Sequence, residues 1–383
     1  MGTLKKVSVS SVYVHAPFCS RRCFYCDFAV EVSSSNDLTA WTGALSGELK
    51  AVEQEGLFSI SEALKTLYVG GGTPSLLGPQ AMTGLAKVIG FSRLQDPELE
   101  WTAEANPESI THDLLENWYD AGVNRMSLGL QSFDPQVLSW MGRVHGPEGS
   151  VKAVNTIKEV GICNFSVDLM FGLPSQLKRC WSTDLFKVLD LEPPHISLYG
   201  LSIEPGTPLG RAVREGSESP IDQEQYRDEY LTAVEHLRGA GYKHYEVSSF
   251  SHPGFESRHN SSYWDGSPYL GLGNSAHSYT GSYRRWNVRD WSAYNILASA
   301  NGTTWEKGEH LDPGSRSLER VWLGLRRALG LPLEDLNDLQ QVIVESWMQK
   351  GLSVLKDGRV SLTAEGWMLL DQLILELDGA SVG

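Results

Sequence analysis

Six short apolar or β-branched runs, at 7–15, 64–69, 98–104, 125–130, 164–169 and 195–201, constrain this chain more than anything else in it. Stretches of helical period lie between them. Asn36 is placed to cap a helix running to about Val52, and Pro79 opens one that reaches Ile89. Further helices are expected at 111–121, 147–160 and 175–189. Strands separated by helices cannot pair as hairpins, because each helix carries the chain back along the sheet. They must lie parallel, joined by right-handed crossovers. Six such units fall short of a closed eight-stranded barrel. The sequence therefore predicts an α/β fold, an incomplete (β/α)6 barrel open on one side.

In parallel sheets functional groups gather at the C-terminal ends of the strands. The turn-forming clusters of this chain fall there. His15-Ala16-Pro17, Gly70-Gly71-Gly72-Thr73-Pro74, Glu104-Ala105-Asn106-Pro107, Gln131-Ser132-Phe133 and Gly172-Leu173-Pro174 follow the first five strands in turn. Past residue 205 the alternation loosens. A helix is expected at 222–239, and 250–290 is rich in Gly, Ser, Tyr, Trp and His. Near the end, apolar runs flank Lys356-Asp357-Gly358-Arg359, a hairpin signal, and a helix follows from Ala364. The reading divides the chain into a barrel at 1–205, an extension at 206–310 and a winged-helix-like module at 311–383.

A net charge of -15 weighs against nucleic acid as a partner and leaves at most peripheral association with anionic membranes. Basic residues form only isolated pairs such as Arg21-Arg22 and Arg326-Arg327. No signal-peptide core and no apolar run of spanning length appears, so a cytoplasmic location is expected. Three of the five cysteines, Cys19, Cys23 and Cys26, fall within eight residues. In a reducing compartment such clustering points to metal rather than to disulfides. Zinc sites take four ligands, and no fourth cysteine is near. Three thiolates on a cubane would leave one iron open to a small molecule, whereas most electron-transfer clusters use four. Cys163 reads as an inert core residue, and Cys180, in a helical stretch, has no assigned role.

The spacing Cys19-x3-Cys23-x2-Cys26 after the first strand resembles the signature of the radical S-adenosylmethionine superfamily. Tyr-x-His-x-Pro-Phe-Cys at 13–19, Gly-Gly-Thr-Pro at 71–74 and Asp-Leu-x-x-Gly-Leu-Pro at 168–174 are similar to its HemN/HemW branch. That branch holds oxygen-independent coproporphyrinogen III oxidases and HemW-type heme chaperones. The resemblance implies a 4Fe–4S cluster on Cys19, Cys23 and Cys26, with S-adenosylmethionine on its open iron. Carried over position by position, it implies that Tyr13, Tyr25, Gly72, Thr73, Glu104, Gln131, Arg143 and Asp168 line that cofactor. Their chemistry is suitable: Arg143 can pair with a carboxylate, and the carboxyls and amide can accept from hydroxyls or an ammonium.

Within the branch three features favour the chaperones. Phe28 stands where the oxidases carry a further cysteine. Only twelve residues precede Tyr13, against the longer N-terminal cover of the oxidases. His259-Asn260-Ser261-Ser262-Tyr263-Trp264 matches the H-N-x-x-Y-W motif associated with heme. The resemblance thus implies heme as a ligand with His259 on its iron and His277 as the rival, a heme-accepting apoprotein, and a flavodoxin- or ferredoxin-type electron donor. Ser275 departs from the family's glycine in the loop before His277. The alternatives are a coproporphyrinogen oxidase and a HemN-like methyltransferase or cyclopropanase.

Overall fold

The computed structural model describes residues 6–32 and 37–379. Six parallel strands form its centre: β1 (Ser11–Ala16), β2 (Thr66–Gly71), β3 (Glu100–Ala105), β4 (Arg125–Gln131), β5 (Asn164–Phe171) and β6 (His195–Gly200). They stand side by side in chain order. Helices α1 (Leu38–Glu55), α2 (Ala81–Ile89), α3 (His112–Ala121), α4 (Pro147–Val160) and α5 (Trp181–Asp190) supply the crossovers. The partial α/β barrel read from the alternation is present.

Side chains alternate along each strand. Val12, Val14, Leu67, Val69, Trp101, Ala103, Met126, Leu128 and Val167 join one large apolar core. The opposite set lines the barrel interior and is polar. Register places Tyr13 beside Tyr68, Glu104 beside Ser127, Ser127 beside Ser166, and Ser197 beside Asp168.

Several boundaries differ from the sequence reading. The first run breaks after Val9, where Val7–Val9 leaves to pair with Phe58–Ile60. The Asn36 cap lies outside the described residues; Asp37 caps α1 by accepting from the Ala40 N–H at 3.0 Å. The helix expected at 175–189 is interrupted because Lys178 adopts a left-handed φ of 51°. That turn carries Arg179 inward to the Met170 carbonyl and Glu229 and leaves Cys180 exposed at the cap of α5. Cys163 is exposed as well, not a core residue. It sits in the turn that enters β5, before the strand's buried positions begin.

The extension does not stand apart from the barrel sheet. After α6 (Gln223–Gly239), β7 (Lys243–Glu246) and β8 (Ser249–Ser251) add antiparallel strands beyond β6. At the other edge β9 (Leu270–Leu272) pairs parallel with β1. A short helix, α7 (Arg258–Trp264), lies between these additions. The chain then forms an antiparallel sheet of β10 (His277–Tyr279), β11 (Tyr283–Asn287) and β12 (Trp305–His310).

The C-terminal part has a separate core, including Leu325, Val344, Trp347, Val360 and Trp367. It is built from α8 (Pro313–Leu325), α9 (Asp338–Gln349) and the hairpin β13 (Ser353–Lys356) and β14 (Arg359–Leu362). Asp357 and Gly358, both at positive φ, make the tight turn that joins the two strands. Among the described residues no helix is long and apolar enough to cross a membrane.

Candidate functional site

The three clustered cysteines follow β1 on a loop whose ends are tied together. Phe18–Cys19 pairs with Glu31–Val32 in a two-residue parallel ladder. The two residues after β2 clamp the loop's start. Gly72 and Thr73 donate their backbone N–H groups to the Ala16 and Phe18 carbonyls at 2.8 and 2.7 Å. A Cβ on Gly72 would lie 2.7 Å from those same oxygens, so only glycine permits the approach.

From there a chain of polar contacts crosses the barrel mouth. The Thr73 hydroxyl lies 3.6 Å from the Cys19 sulfur and accepts from the Asn106 amide at 3.1 Å. Asn106 in turn accepts from the Arg143 guanidinium at 2.6 Å. Burial opposes the Arg143 charge, but the neighbouring Tyr25 phenol and Cys23 thiol more than offset it and raise its pKa. Burial pushes the Cys19 thiol up to about 11 and raises that of Cys26. All three thiols are free and half-buried.

Among the described residues no three His, Cys, Asp or Glu side chains converge closely enough to hold a single metal ion. A cubane takes each thiolate on a different iron, and so asks for a wider spread than one ion does. Three unpaired thiols on one tethered loop beneath a guanidinium fit such a cluster.

Below the loop lie the carboxyls. Glu104 accepts from the Tyr68 hydroxyl at 2.7 Å and the Gly71 N–H at 3.0 Å, and burial raises its pKa. Asp168 faces Ser127 and Ser166 and is pushed up to about 7, first by desolvation and then by the Glu104 carboxylate. A bulge between Gly129 and Gln131 turns Gln131 to a φ of 69° and aims its amide across Gly129. A Cβ at Gly129 would meet that amide nitrogen at 2.9 Å and the Asn106 oxygen at 3.2 Å. Tyr13 stacks on Tyr68 and bonds His15 Nδ1 at 3.0 Å. Tyr13, Gly72, Thr73, Glu104, Gln131, Arg143 and Asp168 thus line one mouth, with Tyr25 beside Arg143. Sequence reasoning missed Tyr68 and assigned no role to Asn106, though the first shares the period-two polar face of β2 and the second lies in a quoted turn.

His259 has a different setting. It is 1% exposed, in the first turn of α7. Its Nδ1 bonds the Thr66 hydroxyl and its Nε2 the Tyr263 hydroxyl, both at 2.8 Å. The ring stacks on Tyr68 with centroids 5.0 Å apart. The Glu100 carboxylate accepts from the backbone N–H groups of Arg258 and His259 at 2.9 and 2.8 Å. Burial, aided by Arg125, lowers the imidazole to about 3. Both His259 ring nitrogens are thus hydrogen-bonded to protein hydroxyls.

His277 is exposed at the start of β10, with its ring stacked on Trp286. The loop before it holds its shape without the family's glycine, because Ser275 itself adopts a φ of 60°. Gly273 in this loop donates to the buried Glu48 carboxylate at 2.8 Å. A cavity of about 600 Å³ joins the two regions; Tyr13, Glu104, Tyr263, Trp264, Tyr269 and His277 are among its lining residues.

This architecture, a parallel partial barrel with a three-cysteine loop at its mouth, has counterparts among known proteins. Residues 13–183 match the Radical SAM superfamily. A solved structure of coproporphyrinogen III oxidase (HemN) from Escherichia coli shares the fold, with a TM-score of 0.80 at 23% identity over 97% of this chain and 90% of its own. The heme chaperone HemW of Mycobacterium tuberculosis (strain H37Rv) is 35% identical over 96% of this chain and 94% of its own length. That of Bacillus subtilis (strain 168) is 31% identical over 94% and 97%. The chain belongs to the HemW family of the radical SAM superfamily.

Proposed function

We propose that this protein is a heme chaperone of the cytoplasm that binds heme in the cavity beside the barrel mouth and passes it to an acceptor apoprotein. Cys19, Cys23 and Cys26 hold a 4Fe–4S cluster, and Tyr13, Tyr25, Gly72, Thr73, Glu104, Gln131, Arg143 and Asp168 surround S-adenosylmethionine. The bound cluster supplies one-electron chemistry and an open iron, reduced by a flavodoxin- or ferredoxin-type donor. Arg143, already fixed by Asn106, meets the cofactor's carboxylate. Glu104 and Asp168 accept from its hydroxyls and ammonium.

One observation carries the heme reading: a cavity of about 600 Å³, within the size range of cofactor pockets, walled by the aromatic residues of the H-N-x-x-Y-W segment and open to His277. Tyr263, Trp264, Tyr269 and Tyr279 offer aromatic surface to a macrocycle. We assign the iron to His277 rather than His259. Partial desolvation lowers the His277 pKa, which favours the neutral imidazole able to ligate. His259 instead fixes Tyr263 in the cavity wall.

Heme titration of the anaerobically reconstituted protein tests this. His277→Ala should lose the Soret shift of the parent. An undiminished shift in that variant would move the iron elsewhere, and no binding by the parent would remove the chaperone reading. In the same preparation coproporphyrinogen III should not be oxidised; its turnover to protoporphyrinogen IX would establish the oxidase alternative.

A further inference from the structure

A second cavity, of about 470 Å³, lies between the heme-motif segment and the C-terminal part. It shares Trp264, Gly266, Tyr279, Glu319 and Leu323 with the first, so the two cavities adjoin. Their charges differ. In the first cavity the cations are already answered: Arg284 pairs with Glu319, and Arg289 with Asp27. In the second, four guanidiniums, of Arg316, Arg320, Arg327 and Arg359, stand among three carboxyls. Two of those carboxyls are committed, Glu319 to Arg284 and Asp335 to Arg320 at 2.6 Å. The third, Asp265, accepts from the Ser267 N–H at 3.0 Å. Arg359 is held by the Leu329 and Gly330 carbonyls. Arg316 and Arg327 carry no side-chain hydrogen bond or ion pair among the described residues. Arg327 is half-buried, on the helix-to-strand turn after α8, and Arg316 is in the first turn of α8.

Two unanswered guanidiniums in one cavity of a chain whose net charge is -15 are ready for an anion. Guanidinium forks match carboxylates in geometry as well as charge. The adjoining cavity is aromatic, so a ligand that spans both would be a flat apolar body with carboxylates at one edge. We propose that Arg316 and Arg327 bind the propionate edge of heme, with the macrocycle lying in the first cavity; this rests on the heme reading above. The C-terminal part thereby supplies half of the ligand site.

The test compares heme with its dimethyl ester, which keeps the macrocycle and iron but carries no carboxylate. Both are titrated, by the Soret band, into the parent and into the Arg316→Gln/Arg327→Gln variant. The parent should prefer heme by about tenfold or more, on the order of one charge-assisted contact. The variant should bind heme as weakly as the ester while its ester affinity stays parental. Equal binding of the two ligands by the parent overturns the proposal without recourse to any variant. Full retention of the preference in the variant also overturns it. A parent that binds neither ligand overturns the heme reading itself, and this site with it.

Discussion

The cysteine loop and the His259 segment carry the two plainest motifs in the chain, yet they are built in opposite ways. The loop is tied at its ends and through Phe24 and Asp27, yet its three thiols stay half-buried with few partners. Around His259 both ring nitrogens and the backbone N–H are bonded inside the core. A loop that keeps its thiols unspent is disposed toward an external ligand. A segment that has spent its polar groups is disposed toward the protein itself. Two motifs equally visible in sequence can therefore act on different levels, one in chemistry and one in architecture.

The largest effect that would sharpen this contrast is on metal content. Replacing Cys19, Cys23 and Cys26 together by Ala should reduce iron after reconstitution to background and abolish the visible Fe–S charge-transfer absorption. The thermal transition of the apoprotein should hardly move, because the substitutions fall on a loop. A variant that kept its iron, or one that unfolded, would erase the distinction.

His259→Ala should behave in reverse. Loss of a buried ring strands the Thr66 and Tyr263 hydroxyls and opens a cavity, at a cost of about 3 kcal/mol in denaturant unfolding. His277→Ala, on the surface, should cost about 0.5 kcal/mol or less. Equal losses in the two variants would mean that the His259 network contributes little.

A smaller effect concerns the barrel mouth. Arg143→Ala and Asp168→Ala should each weaken S-adenosylmethionine binding by roughly 1–3 kcal/mol, the scale of an unmet charged partner. Calorimetry that found parental affinity in both would show the cofactor to lie elsewhere.

The last effect is a slope with pH. His259 falls from the ordinary histidine range to about 3 on folding. The unfolded chain therefore binds the proton first as pH drops. The stability tied to the neutral ring is complete above about 6.5 and is lost progressively toward 3. Asp168, pushed up to about 7, contributes with the opposite sign. Subtracting the profile of His259→Ala from that of the parent cancels Asp168. The difference should decline between pH 6.5 and 5; a flat difference would mean that the imidazole is not held neutral.

The sequence carried the barrel strands because their buried faces demand β-branched and apolar residues at strand length, as in Val12, Val14, Leu67 and Val69. It carried the mouth because glycine at 72 and the turn at Asn106 are local necessities. What it did not carry was long-range. Nothing near Leu270 announces that it pairs with Val12, and nothing near Lys178 announces the left-handed turn that breaks a helix. The burial of His259 depends on Thr66 and Glu100, which lie far away in the chain. Cys163 illustrates the same limit, since its apolar neighbours begin a strand that the thiol itself stays outside.

The pairing of β9 with β1 also sets an order of events during synthesis. Val12 and Val14 leave the ribosome early, but the strand that covers their outer edge follows roughly 250 residues later, on the order of 10–50 s at usual translation rates. Throughout that interval the nascent barrel presents an open ladder of N–H and C=O groups, a template for pairing with another chain. The same late strand leads into the Gly273 loop that Glu48 holds and that carries His277. Because strand and loop are contiguous, a nascent chain that still lacks β9 has both an adhesive edge and an incomplete cavity.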